Sequence, residues 1–544
     1  MFLNIPARLA ALGILFLLVS ACEPDPFLET RPDRLNEIPD DAGLLAVHVI
    51  NNLVELHSRL DTWTEVYVVD MNDTSKQYRL RPSGKGLINS RVFIGALPPG
   101  DYRIFNLRSY ARHSDAEYWI NAPLDGGLGT FRVEQGHFTS LGTVVYQPLG
   151  ETEVDGRMQR LYTVVRVHEQ ENLESFVIEA FPRMFDDTAG KLILGWNPDE
   201  FPDTRTETAE RVRAFAVGTE TFQTSSGEVI MTGTLGHVFR RRGDADWERI
   251  DTGFSHQLLA FTPYDGGYLV AGERGLVLRA DSLDGPWEVL PSPGTQEAFY
   301  WIAALDNGRF MVLARADDAV TAYLVDPDFR HWKIVAHFVH QPGSFSGSSR
   351  EVVAVLADNG NVILFAIRRR MELDGDGEIV SSRLGRNFRD VRVQSDGTIV
   401  GIPNTGQPRF SRDEGLSWTS LPRSAQGESL RIRDPSPPFM LPNDEAWRFS
   451  HRWRVTLESR QVQTDRPLRL RRSTMEGEIF DWGRPVDRGC DRLRPDISSV
   501  DRFFAMCADG RLMMTTDQGQ TWEVDFQPGG QGEDDSMFRE MPRV

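Results

Sequence analysis

Two octapeptides in the last third of the chain constrain its fold more than any other feature. They are Ser411-Arg412-Asp413-Glu414-Gly415-Leu416-Ser417-Trp418 and Thr515-Thr516-Asp517-Gln518-Gly519-Gln520-Thr521-Trp522. Both read S/T-x-D-x-G-x-S/T-W. Such a string closes a turn: the Asp carboxylate accepts backbone N–H groups just downstream, the Ser/Thr hydroxyl adds a further bond, and Gly permits positive φ. The Trp then opens a strand and offers a large apolar face to the neighbouring sheet.

Degraded copies recur upstream. A turn Gly precedes the motif Trp by 12 residues in Gly406–Trp418, Gly510–Trp522 and Gly275–Trp287, and by 11 in Gly236–Trp247. Trp332 and Trp482 hold the same place with the turn rewritten. The motif Trp residues 247, 287 and 332 are 40 and 45 apart, and Trp482 and Trp522 are 40 apart. The 86-residue gap from Trp332 to Trp418 has room for one more unit, turned at Asp374-Gly375-Asp376-Gly377-Glu378, with Ile379 where Trp would sit. Periods of roughly 40–50 residues are those of radial β repeats. The count is seven, with six or eight left open by the irregular fourth and sixth units.

The motif resembles the Asp-box (BNR repeat) of sialidase-like β-propellers, a group that includes photosystem II assembly-factor-like propellers that bind proteins and are not enzymes. The resemblance implies a mainly β chain with a seven-bladed propeller over 209–526. It gives Ser411, Asp413, Gly415, Trp418, Thr515, Asp517, Gly519 and Trp522 structural roles, with ligands kept at the face where inner-strand loops converge on the channel. Sialidase chemistry would require a late Tyr nucleophile with a Glu partner, yet the last tyrosine is Tyr323. The leading expectation is therefore a non-enzymatic binding or assembly scaffold for a protein or glycan partner. The alternative is a glycan-binding protein or a glycoside hydrolase using an Asp/Glu pair across the channel.

Residues 1–22 carry one Arg, an apolar stretch from Leu9 to Val19 and small residues before Cys22. This is an export signal, and Val19-Ser20-Ala21-Cys22 resembles the bacterial lipobox, which implies a diacylglycerol on Cys22. Glu23 follows rather than an Asp retention signal, so the expected location is the outer membrane, reached through the lipid anchor. Residues 23–42 read as a flexible tether. Short alternating strands over 43–149 predict a β-sandwich, and Leu97-Pro98-Pro99-Gly100-Asp101-Tyr102 resembles the turn of transthyretin-like and carboxypeptidase-regulatory-like sandwiches. Residues 150–208 read as a mixed connector, with a helix in 171–184 and a strand in Lys191–Trp196, and 527–544 as a disordered tail.

A formal net charge of −19 on 544 residues argues against a nucleic-acid partner, which needs a basic face. The positive charge is almost all Arg. Three clusters, Arg240–Arg242, Arg368–Arg370 and Arg469 with Arg471 and Arg472, could form one docking rim or serve as solvated edge residues. No cofactor is expected except Ca²⁺ at Asp374, Asp376 and Glu378, which alternate like oxygen ligands but lack the rest of a twelve-residue loop. His337 and His340, with His331 nearby, form a weaker metal candidate. Cys490 and Cys507 are an even pair in an exported chain, where a disulfide is the expectation. The long loops His340–Arg350 and Ser424–Asn443 are the expected binding loops.

Overall fold

The computed structural model describes residues 28–30, 41–52, 63–83, 90–113, 116–124, 128–154, 157–167, 173–180, 193–197, 203–316, 319–339, 352–366, 368–403, 406–422, 436–450, 468–476, 479–487, 489–507 and 509–529. An 11-stranded N-terminal sheet is followed by seven four-stranded sheets in sequence order. These seven sheets are the blades of a β-propeller: 218–251, 258–289, 298–339, 353–384, 388–420, 439–485 and 490–526.

Each blade is a meander running from the channel outward. In blade 1 the strands are Gly218–Gln223, Val229–Gly233, His237–Arg241 and Glu248–Asp251. Middle strands such as Val229–Gly233 and Val362–Ala366 are buried at every position. Both of their faces pack against adjacent blades, so they read as continuous apolar runs. Outer strands such as Ile379–Leu384 are largely exposed. The repeat count of seven is the blade count, and the marked positions fall at the outer strands. These begin at Glu248, Glu288, Trp332, Ile379, Thr419 and Glu523. Blade 6 departs from this: its outer strand Ile479–Pro485 encloses Trp482. Register shifts between Arg469, Arg471 and Arg472 displace the pairing there.

The two best turn motifs share one hydrogen-bond scheme. The Ser411 hydroxyl donates to Asp413 at 2.7 Å and accepts from the Gly415 amide at 2.8 Å, while the Ser417 amide donates to Asp413 at 2.9 Å. Thr515, Asp517, Gly519 and Thr521 repeat it at 2.9, 2.8 and 2.8 Å. Glu414 and Gly415 both have positive φ, 56° and 78°. A Cβ at Gly415 would meet Phe365 of blade 4 at 2.6 Å, so only Gly lets the turn reach the preceding blade. Trp418 stacks in the same seam, with ring centroids 4.4 Å from Phe388 and 5.6 Å from Phe365. Hydrogen bonds from Thr521 and Thr515 hold Asp517 down at about 2. Asp413→Ala and Asp517→Ala each orphan a downstream amide, so each should lower Tm by a few degrees. Unchanged melting in both variants would refute the capping role.

Among the described residues no strand from outside blade 7 pairs with it, and side chains join blade 7 to blade 1. Arg241 of blade 1 pairs with Asp525 of blade 7, and the Trp247 indole donates to the same carboxylate at 2.9 Å. Phe526 packs on Phe239 at 4.7 Å and on Trp247 at 5.5 Å. Within blade 7 the two inner strands place Cys490 opposite Cys507, and their Sγ atoms are bonded.

The N-terminal strands are β1 (Leu28–Thr30), β2 (Gly43–Asn51), β3 (Glu65–Asp70), β4 (Gln77–Ser83), β5 (Ser90–Leu97), β6 (Gly100–His113), β7 (Ala116–Pro123), β8 (Phe131–Val133), β9 (Phe138–Val154), β10 (Arg157–Val167) and β11 (Ile193–Leu194). Two helices follow strands of this unit, α1 (Leu173–Ala180) and α2 (Asp203–Ala214). The strand order is β10-β9-β2-β5-β4-β3-β6-β7. β4 pairs with β3 along one stretch and with β5 along another, so the sheet folds over at β4. Its two halves share one core, which includes Leu45, Val47 and Val49 from one side and Val66, Val68, Leu80 and Ile104 from the other. Tyr102 of the Pro-Pro-Gly turn is fully buried, and its hydroxyl donates to the Pro98 carbonyl at 2.8 Å.

Three expected boundaries differ. β9 runs past residue 149 and β10 pairs with it, because Glu151–Val154 and Arg157–Arg160 form a two-stranded ribbon at the sheet edge. The expected tether contains β1, paired in parallel with β4. The expected mixed connector ends within the helix α2, which runs on to Ala214 and whose buried Val212 packs in the cluster shared by the sheet and the propeller. The signal segment with Cys22, most of the tether, His340, most of the two long loops and the end of the tail lie outside the described residues.

Candidate functional site: the propeller channel and its loop-bearing face

Antiparallel pairing assigns every blade connection to one of two ring faces. Turns between first and second strands, and between third and fourth, share one face, and the capped turns lie there. Links between second and third strands, and between successive blades, share the other. Both long loops expected to bind a partner spring from this second face, from the ends of Trp332–Val339 and Thr419–Ser420.

Over blades 1 and 2, as far as the link to blade 3, that face carries the N-terminal unit. Asn52, fully buried, donates to Gln147 and to the Phe215 carbonyl, and accepts from the Thr234 hydroxyl of blade 1. Ser90 donates to Glu273 of blade 2 at 2.8 Å. Glu179 of α1 accepts from the Thr295 amide and hydroxyl at 2.6 and 2.7 Å. Ile50, Val145, Val165 and Val167 join Val212 and Leu235 in one apolar cluster.

His237 sits beneath this contact, with Nδ1 2.8 Å from the Leu235 carbonyl and Nε2 3.9 Å from Asp251, which α2 holds through Arg213. Burial pushes its imidazole down to about 4, although the Asp251 carboxylate favours the charged form. The unfolded chain, near the ordinary 6.5, therefore binds the proton first, so stability falls as pH drops from about 6.5 toward 4. The shift corresponds to about 3 kcal/mol at the acid end. His237→Gln should flatten the pH dependence of the melting temperature in this window. The same slope in both proteins would rule the histidine out as its source.

In the channel the inner strands of blades 1, 5 and 7 meet through charge. Glu220 accepts from Arg392 at 2.8 Å and from Arg494 at 3.2 Å. Arg392 also pairs with Asp390 at 3.0 Å, and Arg494 with Asp496 at 3.1 Å. The Thr221 hydroxyl donates to Asp496 at 2.6 Å. Burial alone would raise Glu220, but Arg392 and Arg494 hold it down at about 2. A carboxylate kept ionised in this way has no proton to give a leaving group, so Glu220 does not supply the general acid of glycoside hydrolysis.

Other candidate groups resolve differently from the sequence expectation. Tyr323 lies in the third strand of blade 3, buried between blades 2 and 3 and away from the channel, with its hydroxyl 3.0 Å from Glu297. Burial and the Glu297 carboxylate both push the phenol up, opposing its use as a nucleophile. The candidate calcium loop, Asp374 to Glu378, is the turn between the third and fourth strands of blade 4, and its carboxylates have protein partners. Asp374 accepts the Asp376 and Glu378 amides at 2.9 Å each, Asp376 pairs with Arg309, and Glu378 lies 3.1 Å from Lys333. The three carboxylates are thus engaged with different partners, and Asp374 caps its turn. Among the described residues the acid–histidine group that does converge is Asp326, Asp328 and His331, in the corresponding turn of blade 3. His337 is 3.0 Å from the Thr321 hydroxyl.

The arginine rim is also corrected. Arg240, Arg241, Arg370 and Arg471 are buried. Arg240 reaches Asp284 in the turn of blade 2 at 2.8 Å, and Arg370 donates to the Glu414 carbonyl in the turn of blade 5 at 3.0 Å. Arg240 and Arg370 thus tie one blade to the next, each reaching from a third strand to the neighbouring blade's turn. Glu220, Arg392 and Arg494 went unnoticed in the sequence. Their juxtaposition joins positions up to 274 residues apart, and no local motif marks it.

Fold and site together define a seven-bladed β-propeller with an ion-paired channel and an N-terminal sheet seated on its loop-bearing face. No family model and no curated protein matches the chain. Among solved structures, the chain is similar to YCF48 bound to D1 peptide, at 13% identity over 58% of this chain and 84% of that one, with a TM-score of 0.30. It is also similar to a WD40 β-propeller domain, at 14% identity over 56% and 95%, with a TM-score of 0.30. Puromycin hydrolase matches at 13% identity over 60% and 56%, with a TM-score of 0.40. At these identities the likeness concerns the fold alone.

Proposed function

We propose that this chain is a lipid-anchored envelope protein whose propeller is a non-enzymatic scaffold of the Asp-box type, binding a protein partner. The observation that carries the non-enzymatic reading is the channel, where Glu220, Asp390 and Asp496 are paired with Arg392 and Arg494. With blades 1 and 2 covered by the chain's own N-terminal unit, recognition falls to the sector of the same face from blade 3 to blade 6, where both long loops spring. We read that N-terminal unit as a transthyretin-like sandwich, in keeping with its folded-over sheet and the buried Tyr102.

The anchor is Cys22 in the outer membrane. Cys22→Ala should leave the precursor unprocessed or release the protein from the outer-membrane fraction. A variant that fractionates and migrates like wild type would overturn the anchor. Shortening 340–350 and 424–435 to Gly-Ser turns should abolish partner capture from membranes with little loss of Tm. Turnover of sialosides or other glycosides by the purified protein would instead overturn the scaffold and restore the hydrolase alternative.

A further inference from the structure

The outer strand of each blade has one edge that no described strand pairs with, and such an edge is a template for pairing with another chain. Four of the seven are guarded. Glu248–Asp251 and Glu523–Phe526 carry carboxylates, while Glu288–Val289 and Thr419–Ser420 are two residues long. Blade 4 is different. Its outer strand Ile379–Leu384 pairs with Arg369–Leu373 alone and contains neither an acidic residue nor Pro. It leaves Ile379, Val380 and Leu384 exposed by 53, 53 and 94%.

Arg383 stands opposite Arg370 and Leu384 opposite Arg369, and residues paired across an antiparallel ladder share a face of the sheet. Arg370 reaches blade 5 at the Glu414 carbonyl, and Met371 packs in the cluster shared with blade 3. The edge therefore presents Arg383 on its blade 5 side and Leu384 on its blade 3 side.

More arginines gather where this strand meets the loop-bearing face. A Cβ at Gly385 would lie 2.7 Å from the Arg369 carbonyl carbon, so Gly here draws Arg386 in beside Arg368 and Arg369. The Gly385 amide donates to the Arg368 carbonyl at 2.7 Å, and Asn387 accepts the Arg368 amide. Arg409 comes from the third strand of blade 5. Its neighbour Phe410 packs toward blade 6, so alternation aims Arg409 at blade 4. Burial and the Arg386 charge pull Arg409 below its ordinary value. Arg368, Arg369, Arg383 and Arg386 are exposed. Among the described residues no carboxylate pairs with these four or with Arg409. Five guanidinium groups without a counter-charge, on a chain of net charge −19, call for an anionic partner.

We propose that the free edge of Ile379–Leu384 takes up an extended segment of a partner protein in which acidic and apolar residues alternate, an inference that rests on the protein-scaffold reading. Added as a fifth strand, the segment satisfies the outward N–H and C=O groups of the edge. Its acidic side meets Arg383 and its apolar side Leu384. Further carboxylates at its end meet Arg368, Arg386 and Arg409 through charge-assisted hydrogen bonds. A bilayer suits the site less well, because a strand edge is narrow and an anionic surface repels the rest of an acidic chain.

The test titrates the full-length protein with a fluorescent peptide of alternating Glu and Val. It should bind severalfold more tightly than the same peptide with Gln for Glu, and the difference should shrink severalfold at high salt. Methylating alternate backbone nitrogens of the peptide, on the side that pairs, should abolish binding. Arg383→Glu/Arg386→Glu should weaken it severalfold, and Arg330→Glu, exposed in the turn of blade 3, should not. Equal binding of the Glu and Gln peptides, indifference to N-methylation, or an equal loss in Arg330→Glu overturns the proposal. The peptide and salt arms use unaltered protein, so they decide even if the double variant misfolds. Displacement of the peptide by phosphatidylglycerol vesicles but not by phosphatidylcholine vesicles would assign the site to a membrane and overturn the peptide partner. Loop-dependent partner capture without peptide binding overturns the edge proposal alone, whereas glycoside turnover overturns the scaffold reading.

Discussion

Asp525→Ala should destabilise the propeller by about 3–5 kcal/mol, read as a lower denaturant midpoint with an unchanged slope. Among the described residues no interlocking strand closes the ring, and side chains join blades 1 and 7. The Arg241 and Asp525 side chains are 5% and 9% exposed. Removing the carboxylate leaves a guanidinium buried without its charge partner and takes the acceptor from the Trp247 indole. Arg241 also lies over the Trp247 and Phe504 rings, at 5.3 and 4.9 Å, so its position is fixed by packing and it cannot swing out to water cheaply. Replacing Arg241 and Asp525 together with Met and Leu should cost much less than the single change, because no charge is then stranded. A loss below about 1 kcal/mol in Asp525→Ala would show that closure is carried elsewhere, for instance by Phe239, Phe526 and the Thr221–Asp496 bond.

Asn52→Ala should cost about 2–4 kcal/mol and uncouple the N-terminal sheet from the propeller. Asn52 is fully buried and bonded to Gln147, Phe215 and Thr234. Truncation leaves an amide oxygen, a backbone carbonyl and a hydroxyl facing one another in a dry contact, and each orphaned group costs on the order of 1–3 kcal/mol before any relaxation. The wild-type chain should unfold in one calorimetric transition spanning sheet and propeller. The variant should show two, the earlier one belonging to the sheet. A single unshifted transition would mean that the apolar cluster around Val212 and the Glu179–Thr295 bonds suffice to couple the units.

The seven blades were legible in the sequence because each outer strand is entered through a local turn whose chemistry lies within eight residues. Asp413 and Ser417, or Asp517 and Thr521, bond only to backbone and side chains of their own loop, so the motif determines the turn wherever the chain places it. Spacing between such turns then determines blade number. Blade 6 was blurred because its strand pairing slips twice, and residues 150–160 and α2 were misread because their polar sequences take their structure from edge pairing and from one buried Val.

Side chains that act across blades were not legible. Arg240 and Arg370 look like surface residues in any local window, and only the ring geometry turns them toward the next blade's turn. Asp374, Asp376 and Glu378 look like ion ligands until Arg309 and Lys333 arrive from blade 3. Glu220, Arg392 and Arg494 acquire meaning only when a channel brings blades 1, 5 and 7 together. The sequence by itself determined the repeat, the turns and the blade number, which are local hydrogen bonding and periodic burial. Tertiary structure alone decided the channel's charge pairing, the ring seam, and which face the N-terminal sheet covers. Those depend on groups far apart in sequence whose interaction strengthens only once burial removes them from water.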